Sequence, residues 1–522
     1  MGHQRGLVLA LCGLVMLAAH AHAQNSSSQN ENAQYLTGNP IGPLYHSCDD
    51  ILARLNTLAK GPQWPAVSLV SIPDTITSSS HSMYRILNPR RSPLSAQQLQ
   101  AMPTVFIICN QHAREVITAE LCFWLVRLLS GDSRSLLEWP EFRAALGAAR
   151  RVRGVNSNVA LLRQWTQNLT SRVKVEVVPI VNIDGRKLIE QQGDYNLRKN
   201  PNGVDLNRNW RVNRAAPNSG ADELDPSSEV YAGTGPLTEW ETRSLFSYML
   251  TQLSQPTGRG LFMDIHSGMW ALMSPWSGKF DMDDIPMPDI IASQALLDAM
   301  QPPMRDCQGR GIAAGPGAGL LYRAYGSADD TAGQQLKFRQ ALTAEVYGPI
   351  GDDPYVFDSG WSYECPNLRL FRSSCSDDAA KSGTPCGDVA CKNKEGTPMP
   401  PMPFMRAKSL AAFKAVEADN ATAGEAEAST AQVSGAGPTT DPCPVPQPSL
   451  APLNTADDPF MRYMDTGDFA TFTYFNPVNA GQYRDAVSRW CVSMLLAIEN
   501  FAATRPQQQA TVAGGSGNVA TP

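Results

Sequence analysis

The chain has 522 residues, of which 18% are charged, and its formal net charge at pH 7 is -6. The chain is mildly acidic and has no basic stripe interleaved with aromatic residues, so its charge pattern does not favour a nucleic-acid-binding protein. The length exceeds that of one usual domain, but an α/β enzyme with insertions can use most of it in a single core.

The N-terminus has the pattern of a secretory signal peptide. Arg5 precedes an apolar stretch over residues 6–19, and the small-residue sequence Ala21-His22-Ala23 follows it. We therefore expect residues 1–23 to be removed. The stretch is shorter than the roughly 20 residues needed to span a bilayer, and no later segment is long and apolar enough to do so. We predict no membrane span and a protein that is secreted or held in the lumen of the secretory pathway.

Cysteine usage agrees with that route. Loss of Cys12 with the signal peptide leaves an even ten of the eleven cysteines, which fits an oxidising compartment. Cys109 and Cys122 would either form a buried disulfide or remain small apolar side chains. A polar region favours a local disulfide framework over a second metal site, and it holds Cys365, Cys375, Cys386, Cys391 and Cys443. Glycosylation sequons, which also fit secretion, occur at Asn25, Asn168 and Asn420.

Four short apolar runs predict buried strands. They cover Thr104–Cys109, Val173–Val181, Leu261–Ile265 and Ala341–Ala344. Runs that are apolar on both faces suit central strands of a sheet covered by helices on both sides. Helical patterns alternate with them, and the clearest covers Val116–Leu129. This alternation indicates an α/β fold.

Composition divides the rest of the chain. We predict a disordered N-terminal segment over residues 24–43 and a Pro/Gly/Cys-rich insertion over residues 352–454. A helical pattern over Gln482–Phe501 follows and should pack back on the sheet. The catalytic domain would then comprise residues 44–351 and 455–504, and the Gly-rich tail 505–522 should be disordered.

The candidate chemistry gathers where the predicted strands end. His112 and Glu115 follow the first run, His266 closes the third, and Glu345 closes the fourth. Ligands of open α/β sheets bind beyond the carboxyl ends of the strands. Two imidazoles and one carboxylate leave a catalytic zinc its fourth position for water, and a separate glutamate can take that water's proton. The pattern predicts a zinc hydrolase.

Longer strings carry a family resemblance. The sequence contains His112-Ala-Arg-Glu115, Arg198-Lys, Val204-Asp-Leu-Asn-Arg-Asn-Trp210, Ile265-His-Ser267 and Tyr322-Arg-Ala-Tyr-Gly-Ser-Ala-Asp-Asp330, in this order and ahead of Glu345. In these strings the chain resembles the zinc metallocarboxypeptidases of the carboxypeptidase A and B type. The resemblance implies a three-layer α/β/α sandwich with a mixed, largely parallel central sheet.

The resemblance also implies roles at the metal and the reacting bond. His112, Glu115 and His266 would be the ligands of one zinc ion per chain, and Glu345 would be the general base. Asp205 would orient the imidazole of His112.

Substrate contacts follow by the same resemblance. Arg208, helped by Asn207 and Tyr322, would hold the terminal carboxylate of the substrate. Arg198 would face the carbonyl oxygen as it becomes an oxyanion, and Arg114 would contact the substrate further upstream. Arginine suits the carboxylate because its planar fork binds both oxygens.

The preferred C-terminal side chain depends on the register after Tyr322. Counting without gaps places Asp329 at the bottom of the family's specificity pocket, which implies a preference for C-terminal Lys or Arg. A one-residue gap would place Ala328 there and make the pocket small and apolar. A surface turn is the alternative role for the two aspartates.

These observations predict a secreted, monomeric zinc carboxypeptidase whose partners are the C-termini of peptides or proteins. One alternative is a zinc amidohydrolase that acts on small N-acyl amino acids. Another is a non-catalytic binding module with the same fold, which the complete ligand set disfavours.

Overall fold

A computed structural model gives the structure of the protein. It describes residues 44–61, 66–88, 95–149, 154–212, 221–253, 260–278, 287–305, 312–320, 323–348, 472, 474–477 and 480–503. The predicted signal peptide, the 24–43 segment, the 352–454 insertion and the 505–522 tail lie outside these residues. The predicted domain division therefore remains a prediction.

Eight strands form one mixed sheet in the order β1-β2-β4-β3-β5-β8-β6-β7. The strands are β1 (Ala66–Pro73), β2 (Ser80–Leu87), β3 (Thr104–Cys109), β4 (Lys174–Val178), β5 (Gly260–His266), β6 (Met269–Ser274), β7 (Ala313–Pro316) and β8 (Gln340–Tyr347). The central strands β4, β3, β5 and β8 run parallel to one another. Antiparallel strands lie outside them, at β2 on one side and β6 on the other.

The described helices cover both faces of this sheet. They are α1 (Cys48–Lys60), α2 (Ala96–Ala101), α3 (Val116–Leu129), α4 (Arg134–Glu138), α5 (Pro140–Ala149), α6 (Val159–Thr170), α7 (Ile183–Gln192), α8 (Trp240–Tyr248), α9 (Met287–Met300), α10 (Gly317–Leu320), α11 (Ala328–Gln334) and α12 (Ala480–Ala503). Among the residues described, no helix has the length and apolarity that a membrane crossing requires.

The alternation of side chains along β3 separates two hydrophobic cores. Val105 and Ile107 join the core beneath α3, α6 and α12, whereas Phe106 and Ile108 join the core beneath α8 and α11. Successive strand residues point to opposite faces, so a strand apolar at every position needs helices on both sides. The predicted three-layer α/β/α architecture with a mixed sheet is confirmed.

The predicted elements agree closely with the observed ones. The helix predicted over Val116–Leu129 has these bounds. The second predicted run ends earlier than expected, at Val178, where Pro179 has no backbone N–H for the sheet. The final helix extends the prediction to Ala480–Ala503, and its Trp490 Nε1 donates to the Val346 carbonyl of β8 at 2.9 Å. It packs back on the sheet as predicted.

Of the four cysteines in the described part of the chain, two form a disulfide and two are free thiols. Cys109 at the end of β3 is bonded to Cys122 of α3, so the first of the two possibilities holds. Cys48 and Cys491 are free and buried, and both belong to the larger hydrophobic core. They behave as small apolar side chains, so the even number of cysteines does not make every one a disulfide partner.

Candidate metal centre and active site

The register of the sheet brings the three predicted ligands together. β3 pairs with β5 so that Cys109 lies opposite Ile265, and the two strands therefore end side by side. His112 and Glu115 follow β3 in a short turn, and His266 is the last residue of β5. One donor atom from each of these three side chains lies within 4.8 Å of the others, and all three residues are buried.

The δ nitrogens of the two histidines face the carboxylate of Glu115. His112 Nδ1 lies 2.6 Å from Glu115 Oε1, and His266 Nδ1 lies 3.0 Å from Oε2. The two Nδ1 atoms are 3.1 Å apart. The backbone N–H of Ser267 also donates to Glu115 Oε2, at 3.0 Å. Three potential metal-donor groups therefore converge on one point inside the protein.

The opposite nitrogen of each histidine contacts a buried carboxylate. His112 Nε2 lies 3.0 Å from Asp205 Oδ1, and His266 Nε2 lies 2.9 Å from Asp264 Oδ2. A carboxylate at one ring nitrogen keeps the proton there and leaves the other nitrogen free to bind a metal. Two such imidazoles and a carboxylate are a donor set of catalytic zinc sites, so these residues fit one zinc ion.

The charges of the site are mutually compensated. Burial alone would raise the pKa of Glu115, but His112 and His266 hold that pKa well below its usual range. Burial alone would lower the pKa of His266, but Asp264 and Glu115 raise it well above its usual value. A cation bound to these donors would displace any proton that they carry.

Glu345 lies beside this cluster. It is paired with His266 across the parallel strands β5 and β8, so both side chains point to the same face of the sheet. Glu345 is half-buried, and its Oε2 has no hydrogen-bond partner among the described residues. Burial, followed by the nearby charge of Glu115, raises the pKa of Glu345 to about 8. A carboxylate in these surroundings can accept a proton near neutral pH.

Two predicted arginines lie on one side of the cluster. Arg198 contacts Asp205 through Nε and NH2, each at 2.9 Å, and its NH1 lies 4.0 Å from Glu115 Oε1. Arg114 is farther out, where its guanidinium lies 4.4 Å from the centre of the Phe475 ring. Arg198 therefore brings positive charge to the metal centre, whereas Arg114 lies nearer the surface.

Arg208 and Asn207 lie in a 3₁₀ turn, Leu206–Arg208. Asn207 joins this turn to the metal centre, because its Nδ2 lies 3.1 Å from His266 Nε2 and its Oδ1 accepts the Ala328 N–H at 2.9 Å. Arg208 is buried, donates from NH1 to the Asn207 carbonyl at 2.9 Å, and places Nε 3.4 Å from Glu223 Oε1. Tyr322, the third predicted carboxylate contact, lies outside the described residues.

Asp329 and its neighbour Asp330 have different surroundings. Asp329 Oδ2 accepts from the Ser277 hydroxyl at 2.8 Å, whereas Asp330 accepts from the backbone N–H groups of Ser277 and Gly278. Ala328 packs in the core beneath α8 and α11. Burial raises the pKa of Asp329 although hydrogen bonds of Ser327 and Ser277 oppose the shift, and the charge of Asp264 adds to it. Asp330 therefore holds the backbone at Ser277 and Gly278. Both aspartates are buried, so they do not form the surface turn considered as an alternative.

The sequence analysis assigned no role to Asp264 or Gln111. Asp264 accepts a hydrogen bond from Gln111 Nε2 at 2.6 Å in addition to its contact with His266. A signal for Asp264 was present, because it precedes His266 by two residues on one strand and so shares its face. Gln111 gave no comparable signal, since its contact depends on how β3 and β5 pair.

Comparisons with known proteins agree with the site. A family model described as zinc carboxypeptidase matches residues 59–137 and 159–352, together more than half of the chain. Carboxypeptidase B of Rattus norvegicus is 27% identical over 236 residues, which are 44% of this chain and 48% of the relative. Metallocarboxypeptidase A of Trichophyton tonsurans is 30% identical over 199 residues, covering 36% and 46%.

The extent of these matches is limited. The chain spans about half the length of the curated relatives it matches. A solved structure of thrombin activatable fibrinolysis inhibitor has 19% identity and a TM-score of 0.44, and the match covers 59% of this chain and 68% of that one. A likeness at that level transfers no property to this protein.

Proposed function

The chain belongs to the zinc carboxypeptidase family, and from this premise we propose that it hydrolyses the C-terminal peptide bond of peptides or proteins. The observation that carries the proposal is the convergence of His112, Glu115 and His266 beside Glu345. This arrangement places a metal-donor set and a proton acceptor at one end of the sheet. We expect a monomer with one zinc ion.

Different residues of the chain would bind the metal, transfer the proton and stabilise the developing charge. Zinc held by the three donor groups would supply Lewis-acid chemistry that activates water and polarises a carbonyl. Glu345 would take the proton of the attacking water and deliver it to the leaving amine, because it lies beside His266 on the same face of the sheet. Arg198 would stabilise negative charge as it develops on the carbonyl oxygen.

Arg208 would restrict the enzyme to chain ends. Its guanidinium is buried beside Asn207, and Asn207 contacts the ligand His266. A buried arginine near the reacting bond favours substrates that bring a carboxylate, because the planar fork can bind both carboxylate oxygens. Tyr322 would assist, and Arg114 would contact substrate residues upstream of the cleaved bond.

We propose a preference for C-terminal Lys or Arg, with Asp329 as the residue that selects them. Asp329 is buried, and no described cationic side chain forms an ion pair with it. A carboxylate in such surroundings gains a partner when a basic substrate side chain enters. The burial of Ala328 in the core favours the ungapped register.

We also propose that the protein follows the secretory route. The Cys109–Cys122 disulfide supports an oxidising compartment. Asn168 is exposed on α6, as a glycosylated asparagine must be. A shift in mass on treatment with a glycosidase, lost in Asn168→Gln if that sequon is used, would test the proposal.

The decisive experiment combines metal analysis with a Glu345→Gln assay. Native protein should contain close to one zinc per chain, and Glu345→Gln should keep the zinc but lose about 10²- to 10⁴-fold in kcat, the range for a general acid–base group. Glu241→Gln is a matched control, because Glu241 is also buried with a pKa raised to about 8 but does not contact the metal ligands.

Three outcomes would contradict the proposal: native protein without zinc, full activity in Glu345→Gln, or an equal loss in the control. Assays on peptides and on N-acyl amino acids would separate a carboxypeptidase from an amidohydrolase. Activity on the acylated amino acids alone would favour the amidohydrolase.

A further inference from the structure

We propose that a hydrogen-bond relay from Trp210 through Gln111 to Asp264 positions His266 for metal binding. The inference rests on the proposed zinc site and adds three positioning residues to it. The first two contacts of the relay join distant parts of the chain, the third joins two residues of β5, and all four side chains are buried.

The relay begins at Trp210, whose indole nitrogen can only donate a hydrogen bond. Trp210 Nε1 lies 3.0 Å from Gln111 Oε1. This contact decides the orientation of the Gln111 amide, because the atom that faces the indole N–H must be the oxygen. The amide cannot turn over without placing two donors against each other.

The orientation of the Gln111 amide then decides whether a donor or an acceptor faces Asp264. With its oxygen held by Trp210, Gln111 directs its Nε2 donor to Asp264 Oδ2 at 2.6 Å. The backbone of Gln111 is held as well, since its carbonyl accepts from Asn182 Nδ2 at 3.2 Å. The Asp264 carboxylate, which the strand places on the same side as His266, is thereby held by a donor.

Asp264 in turn decides which nitrogen of His266 carries the proton. The same Oδ2 atom lies 2.9 Å from His266 Nε2, and an ionised carboxylate can only accept. The proton therefore belongs on Nε2, which leaves the Nδ1 lone pair directed at Glu115 and the metal position.

Asn207 opposes this assignment, which makes Asp264 necessary. Its Nδ2 also lies 3.1 Å from His266 Nε2, and its amide orientation is set by Oδ1, which accepts the Ala328 N–H. The Asn207 donor would favour a lone pair on Nε2 and a proton on Nδ1, where a metal could not bind. Hydrogen bonds to a charged group are about twice as strong as neutral ones, so Asp264 prevails.

The test measures zinc affinity by chelator competition in the full-length protein. Changes to residues that support metal ligands cost about 10- to 100-fold in affinity. Asp264→Ala should fall at the upper end of that range, because Asn207 then sets the tautomer. Asp264→Asn should lose less, since an amide oxygen at the Oδ2 position still accepts from both Gln111 and His266.

Gln111→Leu has a matched control in Gln340→Leu. Gln340 is also buried, but it lies at the start of β8, five residues before Glu345 and at the other end of the strand. Both substitutions should lower stability, whereas only Gln111→Leu should weaken zinc binding, by about 10-fold. The visible absorption spectrum of cobalt-loaded protein should change in Gln111→Leu and not in the control.

The outcomes separate this inference from the proposed function. If native protein binds zinc and Asp264→Ala binds it equally well, the relay is wrong and the zinc site stands. Equal zinc affinity in the two glutamine variants would likewise overturn it. If native protein binds no zinc, the proposed function fails first. Should Asp264→Ala not fold, Asp264→Asn and Gln111→Leu decide the result.

Discussion

The buried carboxylates of this protein fall into two groups according to what faces them. Glu115 lies between two histidines and Asp205 contacts Arg198 and His112, and in both residues these partners hold the pKa below its usual range despite burial. Asp329 and Glu241 are equally buried, but their nearest partners are the neutral side chains Ser277 and Asn200, and burial raises the pKa of both.

This difference indicates that Asp329 could bind a cation supplied by a substrate. Both carboxylates of the first group have partners within the chain, the two histidines for Glu115 and Arg198 with His112 for Asp205. Asp329 has no such partner among the described residues, so a basic substrate would supply one. Glu345 lies between the groups, because burial and Glu115 raise its pKa whereas His266 and Arg198 lower it.

The largest expected effect comes from neutralising the first group. Glu115→Gln replaces a charged donor by a poor zinc ligand while keeping the shape of the side chain. We expect loss of stoichiometric zinc and, since metal polarisation supplies several kcal/mol, a fall of about 10³-fold or more in kcat/KM. Zinc analysis and a peptide assay measure both. Retention of zinc in this variant would show that the carboxylate is not a ligand.

Arg208→Ala removes the cation proposed to meet the substrate carboxylate. Loss of one partner of a buried charge pair costs about 2 to 5 kcal/mol, so kcat/KM on free C-termini should fall by at least about 30-fold. Arg211→Ala is the control, because Arg211 is a nearby exposed arginine. Native enzyme should act poorly on C-terminally amidated peptides, and efficient cleavage of them would contradict the proposed clamp.

Asp329→Asn tests whether Asp329 binds a basic side chain of the substrate. The amide keeps an acceptor for Ser277 but removes the charge, so the ratio of kcat/KM for C-terminal Arg over Phe should fall by about 10- to 100-fold. Matched peptides ending in Arg, Lys, Phe and Leu measure it. A native preference for Phe or Leu, or an unchanged ratio in the variant, would refute the assignment of Asp329.

The smallest expected effect is on the pH dependence of stability. Burial, helped by Glu239 and Asp184, raises the pKa of Glu241 to about 8 from an ordinary value of 4.5. Between these pH values the folded state holds a proton that the unfolded state releases, so the free energy of unfolding falls as pH rises. At low pH both states are protonated and this contribution is fully present.

Glu241→Gln should remove that slope. Urea unfolding at intervals from pH 5 to 8.5 should show the native protein losing stability relative to the variant as pH rises, by up to about 1.4 kcal/mol per pH unit. Asp225→Asn, at an exposed turn, is the control for a surface carboxylate. Parallel curves for native protein and Glu241→Gln would mean that Glu241 ionises normally.

Local sequence patterns were enough to predict much of the fold and the candidate ligand set. Runs apolar at every position, such as Thr104–Cys109, identify strands that need cover on both faces, and Val116–Leu129 follows the helical repeat. His112 and Glu115 lie three residues apart in one turn, so the local sequence is enough to place them close together. The carboxyl ends of parallel strands meet at one edge, which brings His266 there too.

Only the tertiary structure decided which side chains support these residues. Asp264 reaches Gln111 across 153 positions because β3 and β5 end side by side, and Trp210 reaches it across 99 from the segment after the 3₁₀ turn Leu206–Arg208. The surroundings of Asp329 depend on Ser277, 52 residues earlier. Hydrogen bonds act over about 3 Å, and periodicity along one strand or helix carries no information about partners at that distance on another. The sequence determined which side chains are the candidate donors. The packing of strands and turns decided which hydrogen-bond partners set the tautomers of the histidines and the pKa values of the carboxylates.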